Sequence, residues 1–217
     1  MLAPCPNVQS MTAEEHEPID PANIDRDERY RDHESLWSGE VNGSLAIEVE
    51  GLQPGRALDV GCGEGADAVW LAHQGWDVTA IDIAPTAVDR GRAAADERGL
   101  AIDWRAGDLL AEPPELAPMD LVSVHYPAFP IHRLNDITSV LTGWVSSGGI
   151  LLLVGHAPPE DPSTAPFCQE DWVQPADIAP ALGEGWSVEV HETRPRPGEH
   201  HEGSPHSHDV VVRARKI

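Results

Sequence analysis

A short apolar run that ends in a cluster of glycines constrains this chain more than any other feature. Residues 56–60 read RALDV, and from Asp59 the chain continues as DVGCGEG, with Gly61, Gly63 and Gly65 at alternate positions. A buried strand that breaks at once into glycines predicts a tight turn with positive φ angles, where no Cβ keeps a ligand away. The helix predicted next would begin with unpaired N–H groups facing the same space.

Strand and helix patterns alternate over the rest of the chain. Apolar runs and turn signals predict strands at 56–60, 76–83, 101–104, 120–125, 149–155, 186–193 and 208–213, and helices at 66–74, 85–99, 131–145 and 175–182. This alternation predicts an α/β fold, a doubly wound, Rossmann-like sheet with helices on both faces. The last two strands would close one edge as a pair.

The amino-terminal region differs in character from this core. Residues 1–24 are rich in Pro, Glu, Asp and Asn without hydrophobic period, which predicts a mobile arm. Met11 is an alternative start to Met1. We expect residues 25–217 to form a single domain, in which residues 25–53, with isolated aromatic side chains in a polar setting, act as a cap.

Charge and composition restrict the partners. The chain has 14 Lys+Arg against 37 Asp+Glu, a formal charge of −23, which disfavours nucleic acids and anionic membranes. Three scattered cysteines form no disulfide framework. No apolar run is long enough to span a bilayer, and the start resembles no signal peptide, so we expect a cytoplasmic protein.

Carboxylates follow two further strands. Asp82 ends the second predicted strand, and Asp108 follows the third in the sequence AGDLL. Carboxyl ends of parallel strands share one edge of the sheet, where open α/β folds bind ligands, and a carboxylate there can accept from ribose hydroxyls. The alternatives are a helix N-cap for Asp82, which precedes Pro85, and a loop carboxylate for Asp108.

The spacing DxGxGxG also bears on the ligand. Dinucleotide-binding turns read GxGxxG and hold a pyrophosphate, whereas this turn has no nearby Lys or Arg and is surrounded by Asp59, Glu64 and Asp67. Such a field favours a ligand with an amino group and a sulfonium and no phosphate. A nicotinamide-dependent oxidoreductase is further disfavoured because the chain has no Tyr-x-x-x-Lys pair.

These segments together resemble the class I S-adenosylmethionine-dependent methyltransferases. ALDVGCGEGADAVWLA matches the first motif of that family, VTAIDIAP the second-strand acidic motif and AGDLL the third, while DLVSVHYP and GGILLLVG complete the order over residues 56–155. The lead-in DERY…LWSGEVN is similar to the branch that holds tellurite-resistance and thiopurine-type enzymes, which act on small soft nucleophiles. The resemblance implies seven strands, the last of them antiparallel.

The resemblance also implies a role for each matching residue of the cofactor site. The glycine turn, including Cys62, would pass under the methionine moiety, and Asp59 would help to hold its amino end. The remaining cofactor contacts would be Asp82 to the ribose hydroxyls, Ile83 and Leu109 to the adenine ring, Asp108 to the adenine amino group, His125 near the methyl group and Trp37 as a cover. For Trp37 simple packing is the alternative, and for Cys62 a small filler of the turn.

The acceptor site is expected beside His125 and Tyr126. The chain there reads HYPAFP, which departs from the Asn/Asp-Pro-Pro-Tyr pattern of methyltransferases that act on amides and bases. His125 is a candidate general base. Tyr126 is either a lid over the methyl group or a core aromatic.

Four histidines near the carboxyl terminus suggest a metal, although no spacing among them matches a structural zinc motif. They are His200, His201, His206 and His208. A solvated loop is the preferred interpretation, and we predict no metal site.

The sequence therefore predicts an enzyme that transfers a methyl group from S-adenosylmethionine to the S, Se, Te, O or N atom of a small molecule, leaving S-adenosylhomocysteine. The alternative is a module that binds S-adenosylmethionine as a sensor without catalysis.

Overall fold

A seven-stranded mixed sheet organises the protein in the computed structural model, which describes residues 25–126, 128–158, 171–197 and 207–217. The sheet order is β3-β2-β1-β4-β5-β7-β6. The first five strands are parallel, and β7 is antiparallel to both of its neighbours, which confirms the predicted fold class. The strands are β1 Arg56–Val60, β2 Asp77–Asp82, β3 Asp103–Ala106, β4 Met119–His125, β5 Val145–His156, β6 Trp186–Pro195 and β7 His208–Lys216.

Six α-helices accompany these strands within the described residues. They are α1 Arg26–Arg31, α2 Gly43–Glu48, α3 Ala66–His73, α4 Pro85–Glu97, α5 Leu134–Trp144 and α6 Pro175–Ile178. None of the described helices has the length and apolar character that crossing a membrane requires. The predicted arm at 1–24 and His200, His201 and His206 lie outside the described residues.

Most predicted elements are present, and the third strand is displaced. It was expected at 101–104 and is found two residues later, at Asp103–Ala106. The expectation followed an apolar run, but the bounds are set by pairing with β2, from Thr79 opposite Asp103 to Asp82 opposite Ala106. Pairing brings Ala106 level with Asp82, so the chain leaves β3 at the edge of the sheet where the glycine turn lies.

The apolar run of β5 separates the two halves of the core. Leu151 and Leu153 belong to the cluster on one face of the sheet, whereas Ile150, Leu152 and Val154 belong to the cluster on the other. All five side chains are buried. Because helices cover both faces, the part of this strand from Ile150 to Val154 is apolar at every position rather than at alternate ones.

The segment expected as a cap, residues 25–53, divides into two parts. Leu45 in α2 is fully buried, and Val49 directly after this helix joins the same core cluster. The part from Gly43 onward is therefore integrated into the domain. Only residues 25–42, which we call the strap, remain available as a cover.

A tryptophan explains why the glycine turn and α4 approach so closely. A Cβ on Gly91 would lie 2.6 Å from two ring carbons of Trp104 and 3.1 Å from the carbonyl oxygen of Glu64. A Cβ on Gly65 would also collide with the Trp104 ring. The indole thus occupies the space that two glycines leave free.

This packing predicts that Gly91→Ala destabilises the fold. Forcing a methyl group against an indole and a backbone carbonyl should lower the free energy of unfolding by about 1–3 kcal/mol. Urea denaturation followed by circular dichroism measures the change. The control is Gly143→Ala in α5, where a Cβ meets nothing within 4 Å and should add about 0.5–1 kcal/mol of stability. Equal effects of the two substitutions would contradict the packing argument.

Candidate functional site

The glycine turn lies at the carboxyl edge of the sheet, between β1 and α3. Gly61, Gly63 and Gly65 all have positive φ, at 70°, 53° and 82°. The N–H groups of Gly61 and Cys62 donate to the carbonyl oxygen of Ile81 at 2.8 and 3.1 Å, which fastens the turn to β2. A Cβ on Gly61 would meet nothing within 4 Å, so the space on the side of Gly61 where a Cβ would point is open to a ligand.

Asp82 connects this turn to the next strand. Its carboxylate accepts from the N–H of Gly63 at 2.8 Å and from the N–H of Ala84 at 2.9 Å. Burial raises the pKa of Asp82, an effect opposed by these backbone N–H groups and by Arg26. Ala84 is the N-cap of α4, so Asp82 stabilises both the start of that helix and the glycine turn.

Asp59 is a buried carboxyl group beneath the turn. It is 2% exposed, and its Oδ2 atom has no hydrogen-bond partner among the described residues. Burial, followed by the charges of Asp67 and Asp82, raises the pKa of Asp59 well above its usual value. A positively charged ligand at this position would relieve that unfavourable environment.

Asp108 and Leu109 border a cavity of about 320 Å³ beside the ends of β2 and β3. Asp108 is exposed, and its Oδ1 accepts from the N–H of Leu110 at 2.8 Å, which holds the turn after β3. Leu109 is buried, and Ile81 contributes a further apolar side chain to the wall. Ile83, at the end of β2, has 46% of its surface exposed.

His125 ends β4 and is almost completely buried. Neither of its ring nitrogens has a hydrogen-bond partner among the described residues. The Nδ1 atom lies 3.6 Å from Oδ2 of Asp67, which is too long for a hydrogen bond. Burial lowers the pKa of His125, which favours the neutral form of the ring, whereas the charges of Asp67 and Asp209 oppose this effect.

Tyr126 packs against the neighbouring strands. Its backbone has a φ of 50°, a conformation that side chains other than glycine rarely adopt, and its N–H donates to the carbonyl oxygen of Val154 at 2.7 Å. Its hydroxyl donates to Asp209 at 3.2 Å, and its ring stacks on His156 at 4.1 Å between centroids. The Arg196 guanidinium lies 4.9 Å from the ring centroid. These contacts favour the packed alternative over a lid.

Polar contacts hold the strap across the carboxyl edge. Asp27 accepts from the N–H and the hydroxyl of Thr86 at the start of α4. Arg90 donates to carbonyl oxygens of the strap and pairs with Glu64 at 2.8 Å, and Glu64 in turn accepts from the N–H groups of Leu36 and Trp37. The acidic residues near the glycine turn therefore serve partly to anchor the strap.

Two aromatic side chains of the strap lie over the glycine turn. The Trp37 indole N–H donates to the Tyr30 hydroxyl at 3.2 Å. A Cβ on Gly63 would be 3.1 Å from that hydroxyl and 3.5 Å from the indole nitrogen. Burial raises the pKa of Tyr30 to about 12. Trp37 thus covers the turn together with Tyr30, in the segment around Tyr30–Trp37 that was expected to cover the site.

Sequence reasoning missed the residues that join the strap to the site. Asn42 donates to Asp67 through its backbone N–H and its side-chain amide, both at 2.7 Å. Asp67 had been noted only as a nearby charge, Asn42 ends the lead-in LWSGEVN but had been given no role, and Arg90 belongs to no motif. An acidic residue in the first turn of α3 and the lead-in itself were the available signals. No cluster of metal-ligating side chains occurs among the residues that the structure describes.

The fold, the glycine turn and the acidic strand ends define a class of protein. Residues 57–149 match a family model described as a methyltransferase domain. This match agrees with the resemblance of residues 56–155 to the class I S-adenosylmethionine-dependent methyltransferases, a family that uses S-adenosylmethionine.

Similar curated proteins include two named methyltransferases. The chain is 33% identical over 130 residues to ribosomal RNA small subunit methyltransferase C of Alcanivorax borkumensis, which covers 57% of this chain and 39% of that protein. It is 45% identical over 75 residues to ubiquinone biosynthesis O-methyltransferase of Xylella fastidiosa, covering 33% of this chain and 30% of that protein. The chain therefore spans well under half the length of these relatives.

Solved structures agree over more of the chain. A structure from work on the conversion of a disulfide bond into a thioacetal group during echinomycin biosynthesis has a TM-score of 0.67 and 25% identity, covering 84% of this chain and 85% of that one. TehB from Haemophilus influenzae has a TM-score of 0.66 at 18% identity, covering 82% of this chain and 63% of that one, and shows the fold alone.

We predict that Arg90→Met loosens the strap. The substitution removes a charge-assisted pair and two bonds to strap carbonyls, so hydrogen exchange at the N–H groups of Leu36 and Trp37 should accelerate about tenfold or more. Hydrogen-exchange mass spectrometry of residues 30–42 measures the effect. The control is Arg92→Met, because Arg92 pairs with Asp89 on the same helix. Similar exchange in both variants would mean that Arg90 does not hold the strap.

Proposed function

We propose that this protein is a methyltransferase that binds S-adenosylmethionine at the carboxyl edge of its sheet and methylates a small molecule. The observation that carries the proposal is the buried carboxyl of Asp59, whose Oδ2 lacks a partner among the described residues beneath a glycine turn. Burying a carboxyl group without a partner is unfavourable unless a ligand supplies one. A cationic amino group is the partner that such an oxygen favours.

The residues around the turn suit the rest of the cofactor. Asp82 would accept from ribose hydroxyls, because its carboxylate stands where the first two strands end. Asp108 and the apolar Leu109 and Ile83 would hold the adenine, next to a cavity of about 320 Å³. When bound, the cofactor supplies a methyl group activated by a positively charged sulfur. The protein contributes orientation and exclusion of water, which suffice for much of the rate of such a transfer.

Charge supports a small acceptor. A net charge of −23 opposes the approach of a polyanion such as RNA, although one relative is a ribosomal RNA methyltransferase. The ubiquinone O-methyltransferase is a relative whose name indicates a small acceptor. A soft sulfur acceptor is supported by the structural neighbour from work on a disulfide-to-thioacetal conversion and by the likeness of the strap region to the tellurite-resistance branch. Among acceptors we therefore favour a thiol or another soft nucleophile.

Cofactor binding tests the proposal directly. Isothermal calorimetry should show micromolar binding of S-adenosylhomocysteine and none of NAD, because acidic groups surround the turn and the nearby Arg90 is already paired with Glu64. NAD binding without S-adenosylhomocysteine binding would contradict the proposal. Binding of S-adenosylmethionine without transfer to any of a panel of thiols, phenols and amines would favour a sensor instead.

Asp82→Ala should weaken S-adenosylhomocysteine binding. Loss of charge-assisted bonds from a diol to a carboxylate corresponds to about 1.5–3 kcal/mol, a roughly 10- to 150-fold rise in Kd. Calorimetry measures Kd, and circular dichroism checks folding. Asp77→Ala is the control, because Asp77 is exposed at the opposite end of the same strand. If Asp82→Ala folds and binds as the wild type does, Asp82 acts only as a cap.

Cofactor affinity should also rise with pH until the Asp59 carboxyl group is ionised in the free protein. The raised pKa of Asp59 means that the free protein retains a proton on this carboxyl above the usual range, and a cationic ligand favours its release. Binding then releases a proton, so Kd falls as pH increases towards the Asp59 pKa and levels off above it. Calorimetry in buffers of different ionisation enthalpy measures the number of protons released when S-adenosylhomocysteine binds. Asp59→Asn should remove most of this release, and an unchanged count would refute the assignment.

A further inference from the structure

We propose that Asp67 is a positioning residue that orients His125 as the base for an acceptor that gives up a proton, and that the strap holds Asp67 in place through Asn42. The inference rests on the proposed methyl transfer and assigns to that reaction a proton path. A base in this position also restricts the expected methyl acceptors to those whose reacting atom carries a proton.

The environment of His125 suits a general base. It is buried at the end of β4, and neither ring nitrogen has a partner among the described residues. Its Nδ1 atom faces the Asp67 carboxylate at 3.6 Å. That distance allows a hydrogen bond to form with a small movement once the ring gains a proton, and catalytic contacts are often long before the substrate binds. The Nε2 atom is then left for the acceptor.

Other charged groups around the ring do not replace Asp67. Asp209 of β7 and Asp67 of α3 favour the protonated ring, and Arg196 after β6 opposes it, while Tyr126 lies edge-on to the ring at 6.2 Å. Asp209 already accepts from the hydroxyls of Ser44 and Tyr126. The Oδ2 atom of Asp67 lies 3.6 Å from Nδ1 of this imidazole, close enough to form an ion pair once the ring is protonated.

The strap holds both oxygens of Asp67. The backbone N–H of Asn42 donates to Oδ1 and its side-chain amide donates to Oδ2, each at 2.7 Å. Oδ2 is also the atom that faces His125. Asp67 lies in the first turn of α3, directly after the glycine turn. Closure of the strap would therefore fix the position of the Asp67 carboxylate beside the cofactor. The same closure would fix the orientation of the His125 ring.

The proposed step balances in bonds, electrons and protons. The carbon–sulfur bond of the bound sulfonium breaks with its electron pair retained by sulfur, and a lone pair of the acceptor forms the new bond to carbon. The acceptor proton passes to Nε2 of His125, and the resulting imidazolium is stabilised by Asp67. The proton leaves to solvent when the strap opens.

This proton path favours thiols, hydroxyls and primary or secondary amines as acceptors. A thioether or a tertiary amine has no proton to give, so a buried base beside it would have no purpose. A protonated thiol gains most from the base, whereas a thiolate attacks without it. The dependence on Asp67 should therefore differ between two thiols of different acidity.

The first test reads the imidazole itself. In the full-length protein with 15N-labelled histidine, we expect NMR to show His125 as the Nδ1–H tautomer. In Asp67→Asn its titration should move to lower pH, because the carboxylate that favours the imidazolium is lost. Asn42→Ala keeps Asp67 but removes the amide that holds its Oδ2 atom. This variant should therefore also show a weaker preference for the Nδ1–H tautomer of His125. Asp120→Asn is the control, because Asp120 also accepts a backbone N–H from a distant segment, that of Arg56.

The second test measures how the rate of methylation depends on Asp67 for two thiols of different acidity. We expect Asp67→Asn to lower kcat for methylation of 2-mercaptoethanol, which is protonated at neutral pH, roughly 100-fold with little change in KM. The rate for 4-nitrothiophenol, which is ionised at neutral pH, should change far less. Raising the pH should restore part of the loss for 2-mercaptoethanol as its thiolate forms.

The outcomes separate this inference from the proposed function. Failure of the wild type to bind S-adenosylhomocysteine would overturn the proposed function, whereas the NMR arm needs no cofactor. A His125 titration and tautomer unchanged by Asp67→Asn would overturn the positioning role even in an active enzyme. Equal losses of kcat for the two thiols would assign Asp67 a merely structural role.

Discussion

The structure depends on how it accommodates several carboxyl groups buried at one edge of a parallel sheet. Asp59, Asp67 and Asp82 are each less than a tenth exposed, and their mutual repulsion opposes folding. Backbone N–H groups of the glycine turn and the N-cap of α4 stabilise Asp82, and Asn42 stabilises Asp67. Asp59 has the least compensation. The fold thus retains an acidic site that the proposed cationic ligand would stabilise.

The strap follows from the same electrostatics. Its contacts with the core are mainly polar: Asp27 with Thr86, Arg90 with strap carbonyls, and Glu64 with strap N–H groups. Such contacts exchange readily for water, so this segment can open at lower free energy than the apolar core beneath it. A cover that opens easily and places aromatic rings over the glycine turn suits a site that must admit a cofactor and then exclude water.

The local patterns predicted the fold well because each depends on short stretches of chain. The apolar run of β5 and the glycine turn after β1 are readable from their own residues, and the parallel pairing of the first five strands follows from their alternation with helices. The third strand was displaced because pairing with β2, a neighbour distant in sequence, sets its bounds. Burial of Leu45, within the segment expected as a cap, likewise depends on the core surface that receives it.

The sequence by itself determined the fold class, the glycine turn after β1 and the acidic residues at the strand ends, because these depend on local runs of apolar residues, glycines and carboxylates. Only the tertiary structure decided the use of each side chain. It directed Tyr126 towards Asp209, set His125 against Asp67 and tied Asp67 to Asn42. Those partners lie on separate elements, and folding alone brings them within a few ångströms, so no local pattern records the contacts.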